Sequence, residues 1–174
     1  MNVEILRHPT EEDWRRCKFL AMTTIGKSDW SGNVTDEWKH KILRSGHSPI
    51  RTLMFTIRMT DIPYWVAMHF RTHKIGVEHF ISSQRNDRQS EYDRNKAFQD
   101  APVTHVMDIN AAELIYMAQT RLCIGKVAAE TRQTMRDVCD AVIEYNPEFA
   151  PFFGPKCEFM AECNEFLSCG HKKG

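Results

Sequence analysis

The sequence predicts an α+β fold, and three patterns support that prediction. Residues 53–59 alternate between apolar and polar side chains, which is the period of a half-buried β-strand. Near the N-terminus, two segments carry apolar residues at spacings of three and four behind threonines that can cap a helix. A long helical pattern starts at Asp108 or Asn110 and continues to about Tyr145, with any break expected near Gly125. Helices therefore outweigh strands, while the clear strand argues against a pure helical bundle.

Local signals define the N-terminal elements. Val3 and Ile5 alternate with polar residues and predict a short first strand. Thr10 precedes three acidic residues, and acids in the first turn stabilise the positive end of a helix dipole, so a first helix begins there. Thr35 caps a second helix, and Gly46 provides the left-handed position at which helices often end.

The middle of the chain changes from strand to helix. After the alternating strand, Asp61 is expected to cap a short helix that has Pro63 in its first turn. This helix runs through the apolar segment YWVAMHF and ends close to Arg71. A polar tract at residues 82–96 follows, and its composition indicates a loop.

Composition indicates a single globular domain over residues 1–174. Hydrophobic residues make up 42% of the chain and charged residues 26%, which suits one core. The 23 basic residues balance the 23 acidic residues, and nonspecific nucleic-acid binding needs surplus positive charge, so any anion site is local. The sequence has neither a signal-peptide pattern nor a membrane-spanning window. We therefore expect a cytoplasmic protein with reduced cysteines.

Basic and hydrogen-bonding side chains lie next to the predicted core in the segment HFRTHKIGVEHFISSQRNDR. Arg71 and His73 can present two cationic donors to a phosphate or an electron-rich ring, or they can simply extend into solvent. His69 and His73 are four residues apart, the helical spacing for a shared metal ion, although no HExxH motif surrounds them. A metal-dependent hydrolase that uses these two histidines with Glu78 and His79 is therefore one alternative.

Two further polar features can contact a ligand. The loop at residues 82–86, Ser-Ser-Gln-Arg-Asn, can wrap a phosphate or the edge of a pyrimidine, although an ordinary solvated loop has the same composition. Arg121 lies beside the apolar face of the long helix, where a cation usually has a carboxylate, a carbonyl or a ligand as its partner. Asn110 lies three turns earlier near the same face, so both side chains can line one wall of a pocket.

The C-terminal cysteines raise the question of zinc. Cys157, Cys163, Cys169 and His171 are zinc-ligand types, but the cysteines are six residues apart and lack the close pairs that zinc sites favour. Free cysteines packed as small hydrophobic side chains are the alternative. No metal ligand is assigned from the sequence.

Four segments, taken in order, resemble the flavin-dependent thymidylate synthase family. Its Gly-His, Ser/Thr-Pro segment is matched by residues 45–57, and the helix that ends in its signature arginine is matched by residues 62–71. Its signature, RHRxxSxNExSxRY, is matched by RTHKIGVEHFISSQR, with Thr72 in place of a histidine and Asn86 in place of the final tyrosine. Its Asn-Ala-Arg-Ser-Leu helix is matched by NAAELIYMAQTRL, in which Arg121 follows the asparagine by eleven residues.

The resemblance implies an antiparallel sheet packed with helices and an enzyme that transfers a one-carbon group to a pyrimidine nucleotide. In that family FAD lies at a subunit interface of a homotetramer, methylenetetrahydrofolate supplies the carbon and NADPH supplies the electrons. For this chain the resemblance implies thymidylate synthesis from dUMP. A homologue that binds nucleotide or flavin without catalysis is the other interpretation.

The same resemblance implies roles for individual residues. Arg121 would face the uracil ring and stabilise charge as the ring is activated, which makes it the candidate catalytic residue. The residues that would bind dUMP are Arg71, Ser83, Gln84, Arg85 and Arg121. The residues that would contact FAD are His47, Ser48, Arg71, Thr72, His73 and Asn110.

Overall fold

The computed structural model describes residues 1–27, 31–85, 87–88 and 93–172, so Asn86 of the predicted loop lies outside the described residues. Within these ranges the chain forms four β-strands and five α-helices. The strands are Asn2–Arg7 (β1), Met54–Pro63 (β2), Val77–Ile81 (β3) and Pro102–Asn110 (β4). The helices are Glu11–Thr23 (α1), Asp36–Ser45 (α2), Tyr64–Arg71 (α3), Ala111–Arg121 (α4) and Ala129–Tyr145 (α5).

The strands form one antiparallel sheet in the order β1-β2-β4-β3. This confirms the predicted α+β class and the antiparallel sheet that the resemblance implies. β2 and β4 are the central strands, and they pair along almost their whole length. The sequence patterns did not predict β3 or β4. In β4 the inward position of His105 and the outward position of Val106 blur the alternation that would reveal a strand.

The core lies between one face of the sheet and the helices packed on it. Alternate residues of β2, including Phe55 and Ile57, are fully buried, as is Met107 on β4. α3 packs on both central strands, α4 packs on β4 and α5 packs on β1. Phe55 also contacts Phe149 edge-to-face, with ring centroids 5.2 Å apart. The buried alternation confirms the strand predicted over residues 53–59.

Helix ends agree with most of the predictions. Thr10 caps α1 and forms a capping box with the acidic residue three positions later. Thr35 caps α2, and Gly46 ends it with a φ of 61°. The long C-terminal helical region is divided into α4 and α5, and the break includes Gly125 as expected. Asn110 is the residue that caps α4.

One predicted helix start was wrong. Asp61 does not cap α3, because it lies inside β2 at an irregularity of pairing between Met59 and Ile62. Its φ of 56° is left-handed, a conformation that aspartate tolerates better than most residues, and the bulge lets the strand continue beyond it. α3 therefore begins at Tyr64, directly after Pro63.

The segment after α5 is irregular. It contains two 3-10 turns, Pro147–Phe152 and Lys156–Phe159. The first turn buries Phe149 in the core, whereas the second buries none of its residues. Among the helices of the described ranges, none combines the length and the apolar character that crossing a membrane requires.

A close contact fixes the start of β3 against the start of α4. Gly76 precedes β3 with a φ of 78°, and its carbonyl accepts a hydrogen bond of 2.9 Å from the Asn110 N–H. A Cβ atom on Gly76 would lie 2.3 Å from Asn110 Nδ2. Because the Asn110 side chain caps α4, any side chain at position 76 would displace that cap.

We expect Gly76→Ala to destabilise the protein more than Gly26→Ala, its matched control. Gly26 has a similar φ of 76°, but a Cβ atom there would meet nothing within 4 Å. Gly26→Ala should cost about 1–2 kcal/mol through the left-handed backbone alone. Gly76→Ala should cost roughly 1 kcal/mol more, because the α4 cap is lost as well. Urea unfolding measures both costs, and equal values would contradict the contact with Asn110.

Candidate functional site

The turn from α3 into β3 forms a polar cavity of about 320 Å³, here called the arginine cavity. α3 places Arg71 at its last position, and β3 leads back along β4 into the loop at residues 82–85. The residues that line the cavity are Tyr64, Met68, Arg71, His79, Ile81, Ser82, Ser83, Gln84 and Arg85. Four of the residues predicted to bind dUMP therefore lie around one space.

Two polar groups of the arginine cavity have no partner among the described residues. The exposed guanidinium of Arg71 forms neither a hydrogen bond nor an ion pair with any of them. The Nε2 atom of Gln84 is buried and has no hydrogen-bond partner there either. A buried N–H without a partner costs roughly 1–3 kcal/mol, so such a group often marks a place that a ligand completes. The pair offers a cation and an amide donor to an anionic ligand.

Hydrogen bonds fasten the loop at residues 82–85 to β4. Ser82 N donates to Thr104 O at 2.8 Å, and Thr104 N donates to Ser82 Oγ at 3.1 Å. Arg85 is exposed and donates from Nε and Nη2 to the carboxylate of Asp87, at 2.9 and 2.6 Å. An anionic ligand can replace Asp87 at small cost, because an exposed ion pair contributes only about 0–1 kcal/mol.

His79 also lines the arginine cavity, although it was not among the predicted dUMP or FAD residues. Its Nε2 donates to the His73 carbonyl at 2.9 Å, so its Nδ1 accepts from His105 Nε2, also at 2.9 Å. Burial lowers the pKa of His79, which makes it a neutral imidazole at neutral pH. The two-residue period of β3 could have identified His79 from the sequence, because it places His79 on the same side of the strand as the buried Val77.

His73 connects the end of α3 to α4. It is buried, its Nδ1 donates to Glu113 Oε1 at 2.7 Å, and its Nε2 accepts from Arg121 Nε at 3.1 Å. Because a guanidinium can only donate, these contacts place the imidazole proton on Nδ1. Both ring nitrogens are therefore used within the chain, and neither is free for the FAD contact that the resemblance implies.

Arg121 completes the same network. Its Nη2 donates to the His69 carbonyl at 2.7 Å and also to the Thr72 hydroxyl. A cation is favoured there because the last carbonyls of α3 form the negative end of its dipole. Burial lowers the pKa of Arg121, but a guanidinium stays protonated at physiological pH. The carbonyl partner expected for a cation beside the core is thus present.

Arg121 faces a second cavity, of about 400 Å³, and not the arginine cavity. The residues that line this second cavity are Thr72, His73, Lys74, Ile75, Glu113, Tyr116, Thr120 and Arg121. Asn110 is absent from its wall, so the shared wall predicted for Asn110 and Arg121 was wrong. Asn110 caps the start of α4 and Arg121 is its last residue, so eleven steps along the helix separate them by about 16 Å. Asn110 Oδ1 accepts a hydrogen bond of 3.0 Å from Glu113 N.

His47 and Ser48 lie at a third cavity, of about 320 Å³, between α1, α2 and the 3-10 turn Ser48–Thr52. Trp38 and Ile25 contribute apolar surface to it. The six residues predicted to contact FAD are therefore distributed within one chain over three cavities and the start of α4.

The histidines do not form the metal site that a hydrolase would need. His69 Nδ1 lies 2.9 Å from the Thr131 hydroxyl, while His73 and His79 have the partners described above. Glu78 is exposed on β3 and pairs in register with Asp108. In the part of the chain that the structure describes, no group of three side chains that includes these histidines or Glu78 is placed to hold a metal ion. The geometry gives the hydrolase alternative no support.

Comparison with known proteins identifies solved structures with the same fold. No protein-family profile matches the chain, and no curated protein matches its sequence. Two structures of thymidylate synthase X from Helicobacter pylori, with FAD and dUMP, have TM-scores of 0.68 and 0.69 at 12% and 13% identity. The match covers 88% of this chain in both cases and 97% and 98% of the neighbours. The UMP/dUMP methylase PolB from Streptomyces cacaoi, bound with 5-Br dUMP, has a TM-score of 0.65 at 14% identity over 87% of this chain and 95% of its own.

These neighbours agree with the resemblance found in the sequence motifs. At least 95% of each neighbour is matched, so the correspondence extends through the sheet and its helices. The TM-scores of 0.65–0.69 establish a common architecture, whereas identities of 12–14% transfer no role to any residue. The chain therefore has the fold of the flavin-dependent thymidylate synthases.

Proposed function

We propose that this chain belongs to an FAD-dependent enzyme that transfers a one-carbon group to a pyrimidine nucleotide, and that it makes thymidylate from dUMP. The observation that carries the proposal is the arginine cavity, in which the Arg71 guanidinium and the Gln84 amide face one space and have no partner among the described residues. The solved structures with this fold are thymidylate synthases with FAD and dUMP and a UMP/dUMP methylase. Methylenetetrahydrofolate would supply the carbon, and NADPH would supply the electrons.

The arginine cavity suits the phosphate end of a nucleotide monophosphate. Arg71 and Arg85 can each direct two parallel N–H groups at phosphate oxygens, and the Ser83 hydroxyl adds another donor. A phosphate monoester carries a charge of about −1.5 to −2 at pH 7, which two guanidinium groups balance once Asp87 is displaced. The buried Gln84 Nε2 would then donate to the phosphate or the sugar, and its unmet hydrogen bond would be satisfied.

Arg121 is the residue that we propose acts on the uracil ring. Hydrogen bonds to His69, Thr72 and His73 fix its guanidinium, so little rearrangement is needed when negative charge develops on the ring. Arg121 and Arg71 face different cavities of one chain. We therefore propose a homotetramer in which Arg121 meets the arginine cavity of another subunit.

FAD would be held by side chains that the described structure leaves accessible. His47 and Ser48 are exposed beside the Trp38 indole, which suits a flat aromatic ligand. Arg71 supplies a cation for the diphosphate, and Thr72 is exposed at the end of α3. When bound, the flavin would carry the one-carbon unit and the reducing electrons.

The proposed reaction needs no cysteine nucleophile, and Cys17 and Cys139 are not suited to that role. Burial raises the pKa of Cys17 to about 12 and also raises the pKa of Cys139. Both therefore stay protonated at neutral pH, and a protonated thiol is a poor nucleophile. All six cysteines are free, which fits the cytoplasmic location that we propose.

Arg71→Ala should weaken dUMP binding about 10- to 100-fold, because charge-assisted hydrogen bonds contribute roughly 1.5–3 kcal/mol. The matched control is Arg16→Ala, since Arg16 is exposed on α1 and lines none of the three cavities above. Calorimetric titration of the assembled protein with dUMP measures both variants. If the Arg71 variant bound dUMP as tightly as the Arg16 variant, the arginine cavity would not be the phosphate site.

Tritium release from dUMP labelled at carbon 5 tests the reaction itself, because the hydrogen at that carbon must leave before the new group replaces it. We expect release that requires FAD, methylenetetrahydrofolate and NADPH together. Arg121→Ala should abolish release while the circular dichroism spectrum of the folded protein stays unchanged. Wild-type protein that binds dUMP and FAD but releases no tritium would instead be a non-catalytic homologue.

A further inference from the structure

Four of the six cysteines line one cavity of about 240 Å³ that the proposed reaction does not use. Cys123 lies two residues after the last residue of α4, and the others, Cys157, Cys163 and Cys169, come from the irregular C-terminal segment. The cavity therefore brings Cys123 together with three thiols that lie more than thirty residues later in the sequence. Cys17 and Cys139 lie elsewhere, in the core.

Two contacts hold the C-terminal segment against the connection between α4 and α5. A Cβ atom on Gly125 would lie 2.8 Å from Cys169 Cβ and 3.3 Å from its sulfur. The Cys169 side chain therefore packs directly on the Gly125 backbone, where only glycine leaves room for it. One residue later, Lys126 Nζ forms an ion pair of 2.5 Å with Glu165. Cys123 and Cys169 are thereby placed on the two sides of one close contact.

The C-terminal segment buries almost no apolar surface that could stabilise its position against the rest of the chain. None of the residues 156–172 is buried, Phe166 is completely exposed and Leu167 is 80% exposed. Ordering one residue costs about 1–2 kcal/mol of conformational free energy, which burial of apolar surface normally offsets. Segments that lack such a core are commonly fastened by disulfides or by a metal ion.

The chemistry of the four side chains favours a metal ion. All of them are free thiols in the structure. They surround one small space in the cavity. A divalent cation deprotonates its thiol ligands, and four thiolates are a ligand set that selects zinc.

We propose that Cys123, Cys157, Cys163 and Cys169 bind one zinc ion, which fastens the C-terminal segment to the end of α4. His171 also lines the cavity, but four cysteines already complete a tetrahedral ligand set. The thiols share the cavity, but no three of them stand at bonding distances from a common point in the described structure. Metal binding would therefore include a rotation of these side chains toward the centre of the cavity. With four protein ligands, the site would be structural and not catalytic.

Metal analysis of the full-length protein, purified without added metal or chelator, tests this site. We expect one zinc ion per chain and loss of that zinc in both Cys123→Ser and Cys163→Ser. Cys17→Ala is the matched control, because it removes a cysteine that lies outside the cavity, and it should keep its zinc. After replacement by cobalt, the wild-type protein should show the visible and near-ultraviolet absorption of tetrahedral cobalt with thiolate ligands.

The cobalt spectrum uses the wild-type chain, so it remains informative even where a serine variant fails to fold. Wild-type protein without zinc and without a cobalt–thiolate spectrum would overturn the proposal. Four of the six cysteines found as two disulfides would do the same, as would full zinc occupancy in both serine variants. Because this site is independent of the arginine cavity, the dUMP and tritium measurements can fail without affecting it.

Discussion

The position of the proposed site depends on the hydrogen bonds of one buried residue, His73. Its ring lies between Glu113 and Arg121 on α4, and its carbonyl accepts from His79 on β3. These contacts join the end of α3 to both neighbouring elements. Arg71 precedes His73 by two residues, so the place where its guanidinium meets the arginine cavity is set by the same network. A helix of only eight residues would otherwise have a poorly defined end.

The site combines a fixed part with an adjustable part. Removal of either partner of His73 would leave a buried polar group unpaired, at a cost of roughly 1–3 kcal/mol. The exposed pair of Arg85 and Asp87 contributes only about 0–1 kcal/mol and can be exchanged for a ligand. Arg121 belongs to the fixed part, which suits a group that must stabilise charge without moving. Arg85 belongs to the adjustable part, which suits a group that meets an incoming phosphate.

Sequence patterns predicted the features that depend on neighbouring residues, and they failed where a distant residue decides. The caps at Thr10 and Thr35 and the alternation of β2 are local, so they were predicted correctly. β4 was missed because a buried histidine is acceptable at position 105 only when His79 lies across the strand pair to accept its proton. The resemblance grouped Arg71 with residues 83–85, and the structure places them around one cavity. It could not separate the cavities of Arg71 and Arg121, because that division depends on how α3 ends against α4.

A crystal structure of the assembled protein with dUMP tests most directly whether the arginine cavity is a nucleotide site. We predict that the phosphate lies within hydrogen-bond distance of the Arg71 guanidinium and that Gln84 Nε2 donates to the nucleotide. We also predict that Arg121 of a neighbouring subunit lies over the uracil ring. A nucleotide bound at another place, with Arg71 and Gln84 still unpartnered, would contradict the proposed function.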